Sequence, residues 1–142
     1  MARVDFYVLS ATGEPSRWQF ACRLTEKAWR QNNTVHLQAA DRGAAEKLDE
    51  LLWTWREGSF VPRGISGSDT KQQPPVVIGF AAEHLCNRCD LLINLCDELP
   101  DDIGAFPRVA EIVTSDDEQR RQSRARYARY REQGHTLDTH KL

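Results

Sequence analysis

The 142-residue chain lacks any long apolar run; its longest is Val76-Val77-Ile78-Gly79-Phe80-Ala81-Ala82. A membrane-spanning helix needs about 20 such residues, so no membrane association is expected. The opening Met1-Ala2-Arg3-Val4-Asp5-Phe6-Tyr7 puts an acid where a secretory leader needs apolar residues. A cytoplasmic protein is therefore expected. Glycine is sparse where a phosphate site would need it. The turn Ser10–Ser16 after the first expected strand holds only Gly13. Neither GxGxxG nor GxxxxGK[ST] occurs, which argues against bound nucleotide because phosphate capture needs close backbone approach. Gly64-Ile65-Ser66-Gly67 lies in a long loop, away from any strand–helix junction.

Catalytic constellations are missing as well. Ser10, Ser16 and Ser68 stand outside any nucleophile elbow, and His36, His84, His135 and His140 show no HExxH or paired spacing. A single histidine on a strand, such as His36, is expected to be partly exposed filler. The carboxylates read as helix caps and solvated faces. No enzyme activity and no cofactor are expected. Cysteine is limited to four residues. Cys22 falls on the apolar face of a helix and reads as a small core residue. Cys86 and Cys89 form one CxxC, with His84 and Cys96 nearby, but a closed zinc site usually draws two ligand pairs from two loops. No metal is expected.

What is present is alternation of strand and helix. Val4–Leu9 and Thr34–Ala39 read as strands, followed by Val76–Ile78, Leu91–Leu95 and Arg108–Val113. A helix ending near Asn32 carries Trp18, Ala21, Cys22, Thr25, Ala28 and Trp29 as its stripe. A second runs from a cap at Asp41 to Gly58 with Ala44, Ala45, Leu48, Leu51, Leu52 and Trp55 inward. Trp53 is off that stripe, about 140° from Leu48 at 100° per residue. Ser59–Gln73 is a long loop carrying Phe60, Val61 and Pro62, and Pro100–Phe106 a short helical turn. Ser115-Asp116-Asp117-Glu118 has the form of a capping box for a last helix reaching about Gln133, with Gly134 as its stop. The pattern predicts one α/β domain over residues 1–142. It is Rossmann-like and three-layered, with a mainly parallel sheet and no nucleotide-binding loop.

Charge is divided along the chain. Residues 120–142 hold six arginines and Lys141 against Glu132 and Asp138, a net of +5, while residues 1–119 carry −7. Such asymmetry suggests an anionic partner at the C-terminal end. Arg120, Arg124, Tyr127 and Arg131 share one face of the last helix, whereas Arg121, Arg126 and Arg129 point elsewhere. All the helix's basic residues are arginine, whose planar fork suits carboxylate or phosphate.

Five segments together resemble the chi subunit of bacterial DNA polymerase III. They are the Val-Asp-Phe-Tyr-Val-Leu opening, Leu48-Asp49-Glu50-Leu51-Leu52-Trp53, Ser59-Phe60-Val61-Pro62, Asp90-Leu91-Leu92-Ile93-Asn94-Leu95, and Arg124-Ala125-Arg126-Tyr127-Ala128-Arg129-Tyr130-Arg131 with Gly134. The resemblance covers essentially the whole chain. It implies a non-catalytic adaptor of the replicative holoenzyme with two binding surfaces. Val113, Arg120, Arg124, Tyr127 and Gly134 match the family's pocket for the acidic C-terminal tail of single-stranded DNA-binding protein. Trp53 and Phe60, with Val61 and Pro62 beside them, match its surface for the psi subunit, which joins the clamp loader. Both aromatics are expected to be exposed in the isolated chain. Nucleic acid is then contacted only indirectly. The Cys86–Cys89 segment has no counterpart in the family pattern. The alternative is a direct nucleic-acid-binding protein using the basic C-terminal helix; the acidic body argues against a broad basic groove.

Overall fold

A computed structural model describes residues 3–54, 63–65, 76–80, 90–95 and 106–141. In chain order these form β1 (Arg3–Val8), α1 (Glu14–Arg30), β2 (Val35–Gln38), α2 (Arg42–Thr54), β3 (Arg63–Ile65), β4 (Val76–Gly79), β5 (Leu91–Asn94), β6 (Arg108–Val113), α3 (Asp117–Glu132) and β7 (Thr136–Lys141). The strands make one sheet in the order β3-β4-β2-β5-β6-β1-β7, and every pairing is parallel. The expected Rossmann-like α/β architecture is therefore observed.

Side-chain alternation along the strands builds two cores. On one face, Ala110 and Ile112 of β6, Leu91 and Ile93 of β5, and Val35 and Leu37 of β2 pack against Ala21, Cys22, Ala28, Ala45, Leu48 and Leu52 of α1 and α2. On the other, Val109 and Val113 join Val4, Phe6 and Leu92 beneath Tyr130 and Tyr127 of α3. Parallel strands covered on both faces read as continuous apolar runs, which is why β4, β5 and β6 are plain in the sequence. Cys22 is buried in the first core as expected, and burial pushes its thiol pKa up to about 12. The Asp41 cap is also observed, with Ala44 N–H donating to Asp41 Oδ1 at 2.8 Å.

Several local expectations need correction. The Ser115 capping box does not form. Asp116, in extended backbone, precedes the first turn of α3, and no side chain caps the helix. Tertiary bonds have taken the capping groups instead. Ser115 Oγ donates to Leu9 O at 2.7 Å, and Asp116 Oδ2 accepts from Gly13 N–H at 2.9 Å and from Thr114 Oγ1 at 2.7 Å. The Gly13 bond, then the Thr114 bond, hold the Asp116 carboxyl below its ordinary pKa. His36, expected to be partly exposed, is fully buried. Its strand is central, between β4 and β5, and its Nε2 lies 2.7 Å from Gln38 Oε1. The carboxylates are not all caps and solvated faces, since Asp5 and Glu111 are buried within the sheet. Two strands, β3 and β7, were not expected. The proposed turn at 100–106 lies outside the described residues except for buried Phe106. No helix among the described residues is long and apolar enough to cross a membrane.

Candidate functional site

The site forms at the carboxyl ends of β6, β1 and β7, where α3 lies over the sheet. In open α/β sheets ligands collect at this end of the strands. The orientation of α3 is fixed from below by a buried polar cluster. Glu111 on β6 is fully buried; it accepts from Asn94 Nδ2 at 2.8 Å, Arg126 Nε at 3.1 Å and Tyr130 Oη at 2.6 Å. Arg126 and Tyr130 are one turn apart, so both must face the sheet, and Arg120 and Arg124 are left on the outer side. A charged pair this deep is worth having only when its remaining polar atoms are satisfied, and Asn94 and Tyr130 supply two of those bonds.

Two hollows share the wall beside α3. The smaller, about 180 Å³, is lined by Phe6, Val8, Val113, Ser123, Arg124, Tyr127 and Thr139. The Phe6 and Tyr127 rings meet at 5.3 Å and a tilt of 57°, giving it an aromatic wall. The larger, about 450 Å³, shares Val8, Val113, Ser123 and Arg124 and adds Leu9, Ser10, Arg120 and Lys141. The first is mostly apolar; the second is cationic. Arg120 and Arg124 are exposed and make no ion pair among the described residues. Arg121, by contrast, is bound to Glu118 at 2.7 Å and Arg126 to Glu111.

Four of the five residues matched to the tail pocket thus converge: Val113, Arg120, Arg124 and Tyr127. Gly134 lines neither hollow. It sits beyond the C-terminal end of α3 with φ +84°. There Gly134 N–H donates to Arg131 O and His135 N–H to Tyr130 O. This is the paired closure of a helix ended by a left-handed residue, and it turns the chain into β7. Arg131 is exposed but likewise outside both linings. Sequence reasoning missed Phe6, Val8, Leu9, Ser10, Ser123, Thr139 and Lys141. The parallel register pairs Phe6 with Thr139 and Val8 with Lys141, so recognition of β7 as a strand would have found both partners.

Of the second surface, only the backbone of Trp53 is described, in the last turn of α2. Phe60, Val61 and Pro62 lie outside the described residues, as do His84, Cys86, Cys89 and Cys96. Among the described residues, no three His, Cys, Asp or Glu side chains cluster as metal ligands.

The family model described as "DNA polymerase III chi subunit, HolC" matches residues 1–138. The chain belongs to this family. It is similar to the DNA polymerase III subunit chi of Pseudomonas aeruginosa, with 42% identity over all of this chain and 98% of that protein. It is also similar to the subunit chi of Haemophilus influenzae, at 33% identity over 95% of this chain and 94% of the relative. The Escherichia coli subunit chi is 31% identical over 98% of this chain and 97% of its own length. In this chi-family chain, then, the turn after β1 lacks a phosphate loop, and its Gly13 N–H is already given to an internal carboxylate, Asp116.

Proposed function

We propose that this chi-family protein is a non-catalytic adaptor subunit of the DNA polymerase III holoenzyme. It acts in DNA replication by gripping the acidic C-terminal tail of single-stranded DNA-binding protein. The observation that carries this reading is the apolar hollow of Phe6, Val8, Val113 and Tyr127 bordered by Arg124 and, one turn away, Arg120. Such a hollow takes a terminal apolar side chain, while the Arg124 fork takes its free carboxylate through charge-assisted bonds. Arg120 takes an acidic residue preceding it. Gly134 contributes by turning the chain into β7, which closes the far wall with Thr139 and Lys141.

The second proposed surface, Trp53 with Phe60, Val61 and Pro62, binds the psi subunit and through it the clamp loader. Aromatic residues are typical interface hot spots, and by sequence spacing Trp53 falls off the apolar stripe expected of its helix. No cofactor takes part in either contact.

The test is titration of an acidic peptide with a free terminal carboxylate. A charge-assisted hydrogen bond contributes roughly 1.5–3 kcal/mol, so Arg124→Ala should weaken binding about 10- to 150-fold. Arg124→Lys should restore only part of this loss, since the point charge survives and the fork does not. Arg120→Ala should cost less than Arg124→Ala, because its contact is exposed and screened. Unchanged affinity in Arg124→Ala would refute the assignment.

A further inference from the structure

A third hollow continues the two at α3 across the top of the sheet. It has a volume of about 360 Å³ and is lined by Leu9, Ser10, Ala11, Ser16, Gln19, Phe20 and Arg23. Leu9 and Ser10 also line the cationic hollow of Arg120, Arg124 and Lys141. The three depressions therefore form one path. It begins in the apolar hollow beneath α3, passes Arg120 and Lys141, crosses the end of β1 at Ser10, and descends along α1 to Arg23.

The rim of this crossing is held firmly. Leu9 N–H donates to Val113 O, Ser115 N–H to Ala11 O, and Ser115 Oγ to Leu9 O. The turn after β1 is thus sewn to the turn before α3, and the crossing is a built surface rather than a loose loop. Tyr7 supports it from beneath, its ring 5.3 Å from Phe20 and stacked 5.0 Å from His140. Asp116, at the turn before α3, is engaged by Gly13 and Thr114. Arg23 is exposed and makes no ion pair among the described residues. Four cations with no acidic partner among the described residues line the path: Arg124, Arg120 and Lys141 at α3, and Arg23 at its far end.

We infer that Arg23 and the hollow at Phe20 form an upstream subsite for the same acidic peptide. It takes an acidic side chain several residues before the terminal carboxylate, with Leu9, Ala11 and Phe20 as an apolar floor. This inference rests on the peptide-binding reading above and extends it beyond the terminal residues. The occupant is an extended acidic chain with its free end in the α3 hollow, because that hollow joins an apolar lining for a terminal side chain to the Arg124 fork for its carboxylate.

The experiment titrates two synthetic peptides into the full-length protein. Both are poly-aspartate ending in phenylalanine with a free carboxylate, one of about four residues and one of about nine. The wild type should bind the longer peptide about 2- to 5-fold more tightly, the range of an exposed ion pair. Arg23→Glu should abolish that gain and leave the short peptide unaffected, since Arg23 lines neither hollow at α3. Gln19→Lys, which adds a cation to the same hollow, should increase the gain. Equal affinity of the two peptides for wild type, or an unchanged gain in Arg23→Glu, would overturn the upstream subsite while leaving the terminal pocket intact. Failure of both peptides to bind would overturn the subsite and the peptide-binding reading together.

Discussion

Glu111 shows what single residues contribute here. Its carboxylate holds Asn94, Arg126 and Tyr130 at once, in complete burial. Removing one partner of a buried pair leaves an uncompensated charge, a loss of roughly 3–5 kcal/mol. Glu111→Ala should therefore lower the urea midpoint sharply, whereas Tyr130→Phe should cost only about 1 kcal/mol for one lost hydrogen bond. A small effect of Glu111→Ala would mean that α3 is not held by this cluster. Asp5 gives a pH dependence. Its burial tends to raise the carboxyl pKa, but the bond to His140, the bond to Arg108 and the charge of Arg3 outweigh that and hold it below its ordinary value. A depressed folded pKa contributes stability that is present above the unfolded value, about 3.9, and is lost as pH falls below it through the folded value. The stability gap between wild type and Asp5→Asn should thus be full at pH 6 and shrink below about pH 4. Unfolding curves at the two pH values measure it. Cys22, with its thiol pKa pushed up to about 12 by burial, should resist alkylation in native buffer and react in urea. Mass spectrometry of its peptide reads the difference.

At the scale of elements, legibility followed burial. β4, β5 and β6 were visible because both faces of each are covered and the residues run apolar. β7 was not, because Thr136-Leu137-Asp138-Thr139-His140-Lys141 lies at the sheet edge and is half exposed. Its place is set by pairing with β1, a long-range fact that local pattern does not contain. β3, only three residues long, is hidden in the sequence for the same reason. α3 is legible in its arginine spacing, but its start is not, since Ser115 and Asp116 satisfy distant backbone and not their own helix. The arginine face was legible from spacing alone. Which arginines are engaged was not, because the partner of Arg126 comes from β6. Gly134 was legible as a stop, and its positive φ makes a Cβ costly. Gly134→Ala should destabilise by about 1 kcal/mol and weaken peptide binding modestly through displaced β7; a stabilised variant would contradict the closure described for α3.

Across the whole molecule, the Rossmann-like sheet carries its hollows at the carboxyl ends of the strands. At the head of α1, Gly13 N–H is occupied by Asp116, and the cations that face solvent at the strand ends come from α3, β7 and α1. In the proposed function the acidic body disfavours general attraction to nucleic acid, and the local cations favour an acidic chain end. The proposed psi surface at Trp53 and Phe60 belongs to a different part of the chain. Phe60→Ala should leave the melting temperature nearly unchanged and abolish psi binding without altering peptide affinity; a drop of several degrees with psi binding intact would contradict that surface. The central claim is recognition of a free chain end by Arg124. The most direct measurement compares one acidic peptide ending in a free carboxylate with the same peptide amidated there, alongside bare single-stranded DNA. The account predicts that the free acid binds at least about 10-fold more tightly than the amide, and more tightly than the DNA. Equal binding of acid and amide, or tighter binding of DNA, would make α3 a general anion surface and contradict the account.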